Sequence, residues 1–186
     1  MVELNKIPHI NEISNHGAFA GAGQKKTATF RERYHQQNKV VPSLEEAIRR
    51  TGLKDGMTIS FHHHFRNGDH IINMVVDKLA EMGYKNLTLA ASSLASVHAP
   101  LVRHIKNGVI THIETSGLRG ELAEEISRGL MDCPVVFRSH GGRAAAIRSG
   151  ELHIDVAFLG APSCDSYGNA NGYSRDGDDS ISCGSM

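Results

Sequence analysis

Two loops of this chain combine glycines with an arginine just before a predicted helix. Their residues are Ser116, Gly117, Arg119 and Gly120 in the first loop, and His140, Gly141, Gly142 and Arg143 in the second. Unpaired amides at a helix amino terminus favour a carboxylate or phosphate, and an arginine fork matches a carboxylate with two parallel hydrogen bonds. In one loop alone, the glycines would more simply indicate a tight turn. Two such loops at one edge of a sheet indicate an anion site.

Three adjacent histidines, His62, His63 and His64, precede Arg66 and Asp69 and admit three interpretations. A metal site is disfavoured because neighbouring residues of an extended chain point to opposite sides, and no carboxylate lies at a typical ligand spacing. The histidines could instead have a structural role at a strand end. In the third interpretation, His64 and Arg66 contact substrate carboxylates while Asp69 caps the next helix. The residues alone leave all three open, and His64 and Arg66 stay candidate ligands.

The cysteines and the charge balance restrict the class of protein. Cys133, Cys164 and Cys183 are an odd number without CxxC spacing, which favours free thiols in a reducing cytosol. Cys164 is interpreted as a buried or inert thiol rather than a nucleophile, although His140 could approach it. Twenty Lys and Arg balance twenty Asp and Glu, so neither nucleic acid nor an acidic membrane is expected as a partner.

Several familiar signatures are missing from the 186 residues. No stretch approaches the roughly 20 apolar residues of a membrane span, and the start lacks the basic-then-apolar order of a signal peptide. GxSxG, Walker-type and strand–GxGxxG–helix motifs are also lacking. We therefore expect a cytoplasmic protein that does not use a nucleotide-binding loop or a serine-hydrolase elbow.

The elements that must position the two loops are short apolar runs alternating with amphipathic helices. Strands are predicted at 57–61, 86–91, 109–113, 134–137 and 155–159, mostly apolar on both faces, as in buried parallel sheets. Helices are predicted at 43–51, between Asp69 and Gly83, and near 97–107, 119–130 and 142–149. The first has a capping-box pattern, Ser43-x-x-Glu46, and ends at Gly52. The prediction is an α/β fold: an open, mainly parallel sheet with helices on both faces.

The chain divides into three predicted regions. Residues 1–42 are glycine-rich with little apolar periodicity and are interpreted as an amino-terminal arm. Residues 43–173 form the α/β domain, whose ligands should bind at the carboxyl ends of the strands. After Leu159 no clear element is predicted, and residues 174–186 are interpreted as a flexible or truncated tail.

A series of short segments between residues 43 and 173 matches one known family in order and density. The segments are LEEAIRR at 44–50, GMTISFHH at 56–63, FR at 65–66, GD at 68–69, HAPLV at 98–102, TSGLRG at 115–120, LAEEISRGL at 122–130, SHGGR at 139–143, DVAFLG at 155–160, PSCD at 162–165 and GNANGY at 168–173. In these segments the chain resembles the citrate lyase alpha subunit family. Because family chains are much longer, the resemblance implies an amino-terminal portion, truncated, with little transferase activity by itself.

The resemblance implies a coenzyme A transferase-like domain that moves an acyl-carrier thioester from acetate to citrate through a mixed anhydride. It implies no covalently bound cofactor; the co-substrate is the coenzyme-A-like prosthetic group of an acyl carrier, or acetyl-CoA. The implied partners are the beta (lyase) and gamma (acyl carrier) subunits, with citrate and acetate, in an oligomeric cytoplasmic complex. Arg66, Arg119 and Arg143 would bind carboxylates, and the amides of Gly117, Gly141 and Gly142 would stabilise the developing oxyanion.

Two other functions remain as alternatives. A non-catalytic module of the same fold could bind a sugar phosphate or an acyl ligand without needing a thioester. A metal-dependent hydrolase could be built on the histidine run, which metal analysis would settle.

Overall fold

The backbone forms a five-stranded parallel sheet with flanking helices and a short hairpin. In a computed structural model of the protein, residues 38–62, 70–161 and 163–171 are described. The predicted arm and tail therefore lie outside the described residues, except for residues 38–42. Among those, the Lys39 amide donates to the Ser166 carbonyl at 2.7 Å.

The elements follow the order predicted from the apolar runs, with strand ends that differ by one or two residues. The strands are β1 (Thr58–Phe61), β2 (Leu87–Ala91), β3 (Ile110–Thr115), β4 (Val136–Phe137) and β5 (Val156–Phe158). The helices are α1 (Leu44–Thr51), α2 (Ile71–Glu81), α3 (Leu101–Lys106), α4 (Glu121–Ser127) and α5 (His140–Ser149), and a 3₁₀ turn (Ser96–His98) precedes α3. The predicted α/β architecture is confirmed.

Helix α1 begins and ends where the sequence predicts, with one difference. The Glu46 amide donates to Ser43 Oγ at 3.1 Å, and Gly52 ends the helix at φ 73°. The Glu46 carboxylate instead accepts from Arg50 Nε at 2.7 Å. The predicted capping box is therefore only half formed, because an exposed i,i+4 ion pair takes the carboxylate.

The sequence predicts an apolar stripe of Ile72, Val75, Val76, Leu79 and Met82 for helix α2. The first four are buried, and Met82 is the residue at the carboxyl-terminal cap. His70 is the residue at its amino-terminal cap, and it makes no side-chain capping bond. Asp69, which the sequence predicted as the cap, lies one residue earlier and outside the described residues.

The sheet order, β4-β3-β2-β1-β5, determines which face each helix covers. From β1 to β4 the chain moves in one direction across the sheet, so right-handed crossovers place α2, α3 and α4 on one face. The connection from β4 returns across the sheet to β5 beside β1, which places α5 on the opposite face. The strand order therefore reverses between β1 and β5, the position at which open α/β sheets bind ligands.

The face under α2, α3 and α4, called here the three-helix face, contains the main core. Ile59, Leu89 and Ile113 of adjacent strands are at most 1% exposed. They belong to one apolar cluster with α2, with Leu101 of α3 and with Leu122 of α4. Burying each such side chain stabilises the fold by roughly 1.5–3 kcal/mol, so this face supplies most of the apolar stabilisation.

The opposite face, called here the α5 face, is different in composition. Strand pairing aligns one row of residues across all five strands: Val136, Glu114, Ala90, Ser60 and Ala157. Only Ala90 of this row belongs to an apolar cluster, a small one with Ala146 and Leu152. The prediction that the strands are mostly apolar on both faces holds less well for this face, because the row includes Ser60 and Glu114.

A hairpin follows the sheet where no element was predicted. Strands β6 (Ser163–Cys164) and β7 (Ala170–Asn171) pair antiparallel. Asp165 closes the turn, because its Oδ1 accepts from the amides of Tyr167 and Asn169, each at 2.9 Å. The hydrogen bond from the Asn169 side chain is the main reason that the pKa of Asp165 lies below its usual range. The signal that reveals this turn is an aspartate three residues before Gly168, which has φ +86°.

None of the helices in the described ranges has the length and apolar character needed to cross a membrane.

Candidate functional site

The carboxyl ends of β1 to β4 meet at one edge of the sheet, as the parallel arrangement requires. The Ser92 amide donates to the Phe61 carbonyl at 3.2 Å, and the Ser116 amide donates to the Ser92 carbonyl at 3.3 Å. On the other side, the Arg138 amide donates to the Thr115 carbonyl at 2.9 Å. The predicted convergence of the two glycine–arginine loops on a common edge is therefore confirmed.

The loop after β3 is held against the loop after β2. The Leu94 amide donates to the Gly117 carbonyl at 2.8 Å, and the Arg119 amide donates to the Leu94 carbonyl at 3.0 Å. At Gly120, with φ +70°, an added Cβ would lie 2.9 Å from the Ser96 Cα. Gly120 is therefore required by the tight turn, which is the simpler interpretation of a glycine in such a loop.

Ser116 leaves an unsatisfied polar atom at this edge. Its Oγ is buried and has no hydrogen-bond partner among the described residues. A buried hydroxyl without a partner costs free energy, and such groups in native proteins commonly mark a bound water, ion or ligand. Ser116 therefore remains a candidate ligand of the edge.

The start of α5 is capped from within the loop after β4. The Gly142 amide donates to Ser139 Oγ at 3.0 Å, and the Arg143 amide donates to the Ser139 carbonyl at 2.8 Å. The Gly117 amide is likewise directed to Thr115 Oγ1, at 3.3 Å. Of the three amides considered as oxyanion donors, only that of Gly141 has no acceptor within the described residues. An added Cβ at Gly141 would meet nothing within 4 Å, so there is open space beside this amide.

Arg143 extends from the first turn of α5 across the α5 face. Its Nη2 donates to Ser60 Oγ at 2.8 Å and to the Ala90 carbonyl at 3.2 Å. Burial lowers the pKa of Arg143, and the charge of Glu114 acts in the opposite direction. Arginine nevertheless stays protonated at neutral pH.

The hydrogen bonds of Arg143 leave two of its three guanidinium nitrogens available. Nη1 and Nε make no hydrogen bond, and no carboxylate pairs with the guanidinium, in the described ranges. Nη2 is anchored on the sheet, while Nε and Nη1 keep free N–H donors that point in different directions, and each can give a single charged hydrogen bond to an anion. A half-buried cation without a paired carboxylate is a candidate for binding an anion, so Arg143 stays a candidate ligand.

An ion-pair network joins Arg138, Glu114 and Glu151, and the sequence patterns did not predict it. Arg138 Nε donates to Glu114 Oε2 at 2.7 Å, and its Nη2 donates to Glu151 Oε1 at 3.0 Å. These two hydrogen bonds raise the pKa of Arg138. The position of Arg138 at the end of β4, beside the serine that caps α5, was the one sequence feature that could have indicated a role for it. Its pairing with Glu114 depends on strand order and could not be predicted from the local sequence.

Some of the remaining predicted residues lie outside the described residues, and others lie at the edge of the sheet. His64 and Arg66 lie outside the described residues, so neither the substrate nor the structural interpretation of the histidine run is tested. Arg119 and His140 are exposed at the ends of their loops.

Cys164 is an exposed free thiol in β6 rather than a buried one. In the described ranges, no three His, Cys, Asp or Glu side chains are grouped to hold a metal ion.

The fold and this edge define a class: an open parallel α/β domain with glycine- and arginine-bearing loops at the carboxyl ends of its strands. The sequence profile of the family described as citrate lyase, alpha subunit, matches residues 37–186. This chain belongs to the citrate lyase alpha subunit family.

Curated relatives and a solved structure agree with that assignment. The chain is 62% identical over 151 residues to the citrate lyase alpha chain of Haemophilus influenzae, covering 81% of this chain. It is 61% identical over 158 residues to that of Escherichia coli and 62% identical over 156 residues to that of Klebsiella pneumoniae, covering 85% and 84% of this chain. It spans 29%, 30% and 31% of the lengths of these three relatives.

The solved structure is described as an alpha subunit of citrate lyase from Streptococcus mutans in complex with citrate. It is 56% identical to this chain, with a TM-score of 0.75 over 82% of this chain and 29% of the other. At this identity the agreement extends beyond the fold to the family.

Proposed function

We propose that this chain supplies the citrate-carboxylate site of a transferase that exchanges acetate for citrate on an acyl-carrier thioester. The observation that carries the proposal is the half-buried Arg143, anchored on Ser60 and the Ala90 carbonyl, with Nη1 and Nε unpaired in the described ranges. Family membership supports the choice of a carboxylate over other anions, since the solved relative is in complex with citrate.

The proposed reaction balances as two acyl transfers. A carboxylate oxygen of citrate attacks the carbonyl carbon of the acetyl thioester, the carbon–sulfur bond breaks, and the carrier thiolate leaves. The thiolate then attacks the citryl carbonyl of the mixed anhydride, the bond between the citryl carbon and the bridging oxygen breaks, and acetate leaves with that bridging oxygen, which came from citrate. Each attack places negative charge on a carbonyl oxygen, which fixed donors stabilise more in the transition state than in the ground state.

In this proposal the residues at the edge have separate roles. Arg143 binds a carboxylate oxygen of citrate through a single charged hydrogen bond from Nη1 or Nε. The Gly141 amide and the unpartnered Ser116 hydroxyl lie at the same edge and supply donors for the developing oxyanion. Arg119, His140, His64 and Arg66 are the candidates for the remaining carboxylates.

The proposed co-substrate and partners follow from the family. The thioester is carried by a coenzyme-A-like prosthetic group on the gamma subunit, or by acetyl-CoA in its place. The citryl thioester is consumed by the beta subunit, which cleaves it. The cationic edge and its free donors are suited to a polyanionic acid, and the carrier must deliver its thioester to that edge.

Isothermal titration of this chain with citrate tests the site directly. Arg143→Gln should weaken citrate binding by about 10- to 100-fold, since a hydrogen bond to a charged group contributes roughly 1.5–3 kcal/mol. Arg148→Gln is the matched control, because Arg148 is an exposed arginine of the same helix and its loss should leave affinity within about twofold.

Two results would reject the proposed function. Equal citrate affinity in Arg143→Gln and Arg148→Gln would remove Arg143 from the site. Tighter binding of inorganic phosphate than of citrate would favour the sugar-phosphate module instead. An assay with acetyl-CoA and labelled acetate gives further support for exchange. In that assay the label should enter the thioester pool only when citrate is also added.

A further inference from the structure

The second inference rests on the proposed role of Arg143 and concerns how its charge is kept available. Ser60, Ala90 and Glu114 occupy one row on three adjacent strands, β1, β2 and β3. Adjacent strands lie about 4.8 Å apart, so Glu114 is one strand from the Ala90 carbonyl that holds Arg143. Glu114 is therefore a neighbour of the Arg143 guanidinium, and its charge acts on the pKa of Arg143.

Glu114 does not make that contact, because another arginine holds it. Arg138 Nε donates to Glu114 Oε2 at 2.7 Å, and the two side chains are only 19% and 18% exposed. Arg138 uses its second nitrogen on Glu151, whose side chain is 64% exposed. The buried carboxylate is therefore compensated by Arg138, and Arg143 makes no ion pair with a carboxylate in the described ranges.

We propose that Arg138 is a positioning residue that holds the Glu114 carboxylate away from Arg143, so that Arg143 stays available for a substrate carboxylate. A partly buried carboxylate that loses its cation is strongly destabilised. With Arg138 removed, Glu114 turns to the guanidinium of Arg143, on which its charge already acts. Citrate must then displace an internal carboxylate before it can bind.

A double-mutant cycle on citrate binding tests this competition. Arg138→Gln should weaken citrate binding by about tenfold although Arg138 does not contact the substrate. Glu114→Gln should bind citrate as tightly as the unmodified chain or up to about threefold more tightly, because a negative charge near Arg143 is removed. The double variant Arg138→Gln, Glu114→Gln should regain the affinity of Glu114→Gln to within about twofold.

Two further variants separate positioning from a structural role. Arg138→Lys keeps a cation against Glu114 and should stay within about threefold of the unmodified affinity. Glu151→Gln removes only the exposed partner of Arg138 and should change affinity by less than about twofold. A loss of thermal stability without a loss of affinity in Arg138→Gln would overturn the proposal.

The outcomes distinguish this inference from the proposed function. Absence of citrate binding by the unmodified chain, or full binding by Arg143→Gln, rejects the function. Loss of binding in Arg143→Gln with full binding in Arg138→Gln rejects the positioning role alone. If Arg138→Gln does not fold, the double variant is compared with Glu114→Gln, and an additional tenfold loss there contradicts the proposal, since no carboxylate then competes for Arg143.

Discussion

The two faces of the sheet are built from the same strands but differ in packing and in chemistry. Leu89 and Ala90 are neighbours in β2, and both are 0% exposed. Leu89 points into the large apolar cluster of the three-helix face, whereas Ala90 lies under Arg143 on the α5 face. Because side chains alternate along a strand, one strand can stabilise the fold on one side and position a cation on the other. Stability and binding should therefore respond separately to substitutions on the two faces.

The largest effect is expected for Leu89→Ala on the three-helix face. Truncating a fully buried leucine should reduce the free energy of unfolding by about 2–5 kcal/mol, because transfer energy is lost and a cavity remains. Urea unfolding measures the loss, and citrate titration of the folded variant should give an affinity within about twofold of the unmodified chain. A large loss of affinity with little change in stability would contradict the separation of the two faces.

A smaller stability effect but a larger binding effect is expected for Ala90→Leu on the α5 face. The added volume should cost about 1–3 kcal/mol and displace Arg143 from its contacts with Ser60 and the Ala90 carbonyl. Citrate affinity should fall by about tenfold, the value of one charged hydrogen bond. Ala145→Leu, at an exposed position of α5, is the control that adds the same volume without touching the row.

The smallest effect concerns a polar contact between α2 and α3. Asp77 Oδ1 lies 2.6 Å from His104 Nε2 and also accepts from Arg103. Burial, the largest single influence, acts to raise the pKa of Asp77, but the hydrogen bonds and charges of Arg103 and His104 together hold it below its usual value. The ionised carboxylate thus favours the folded state above the unfolded pKa of about 3.9, and this contribution is lost as pH falls further.

Asp77→Asn should therefore lower stability at pH 7 by no more than about 1 kcal/mol, because the Asp77 side chain is 39% exposed. The difference between the variant and the unmodified chain should stay nearly constant from pH 7 to about pH 4 and should shrink as the pH falls below that value. Thermal unfolding between pH 7 and about pH 3 measures it, with the exposed Asp132→Asn as control. A difference that grows toward low pH would mean that the carboxylate does not stabilise this contact.

Local patterns were sufficient for most of the elements. Apolar runs located the five strands, and Ser43 with Gly52 located both ends of α1. The stripe of Ile72, Val75, Val76, Leu79 and Met82 located α2, with Met82 at its carboxyl-terminal cap. These signals work because helix and strand periods, caps and left-handed glycines act within a few residues. The hairpin at 163–171 was missed because its strands have two residues each and depend on the side-chain turn at Asp165.

From the sequence alone, then, the family, the order of strands and helices, and the placement of both glycine–arginine loops after strands could be determined. Only the tertiary structure decided that β5 lies beside β1, that Arg143 reaches Ser60 across 83 positions of sequence, and that Arg138 pairs with Glu114. The physical reason is that strand order and face are set by the packing of the whole sheet. Charges far apart in sequence meet only once that packing is complete.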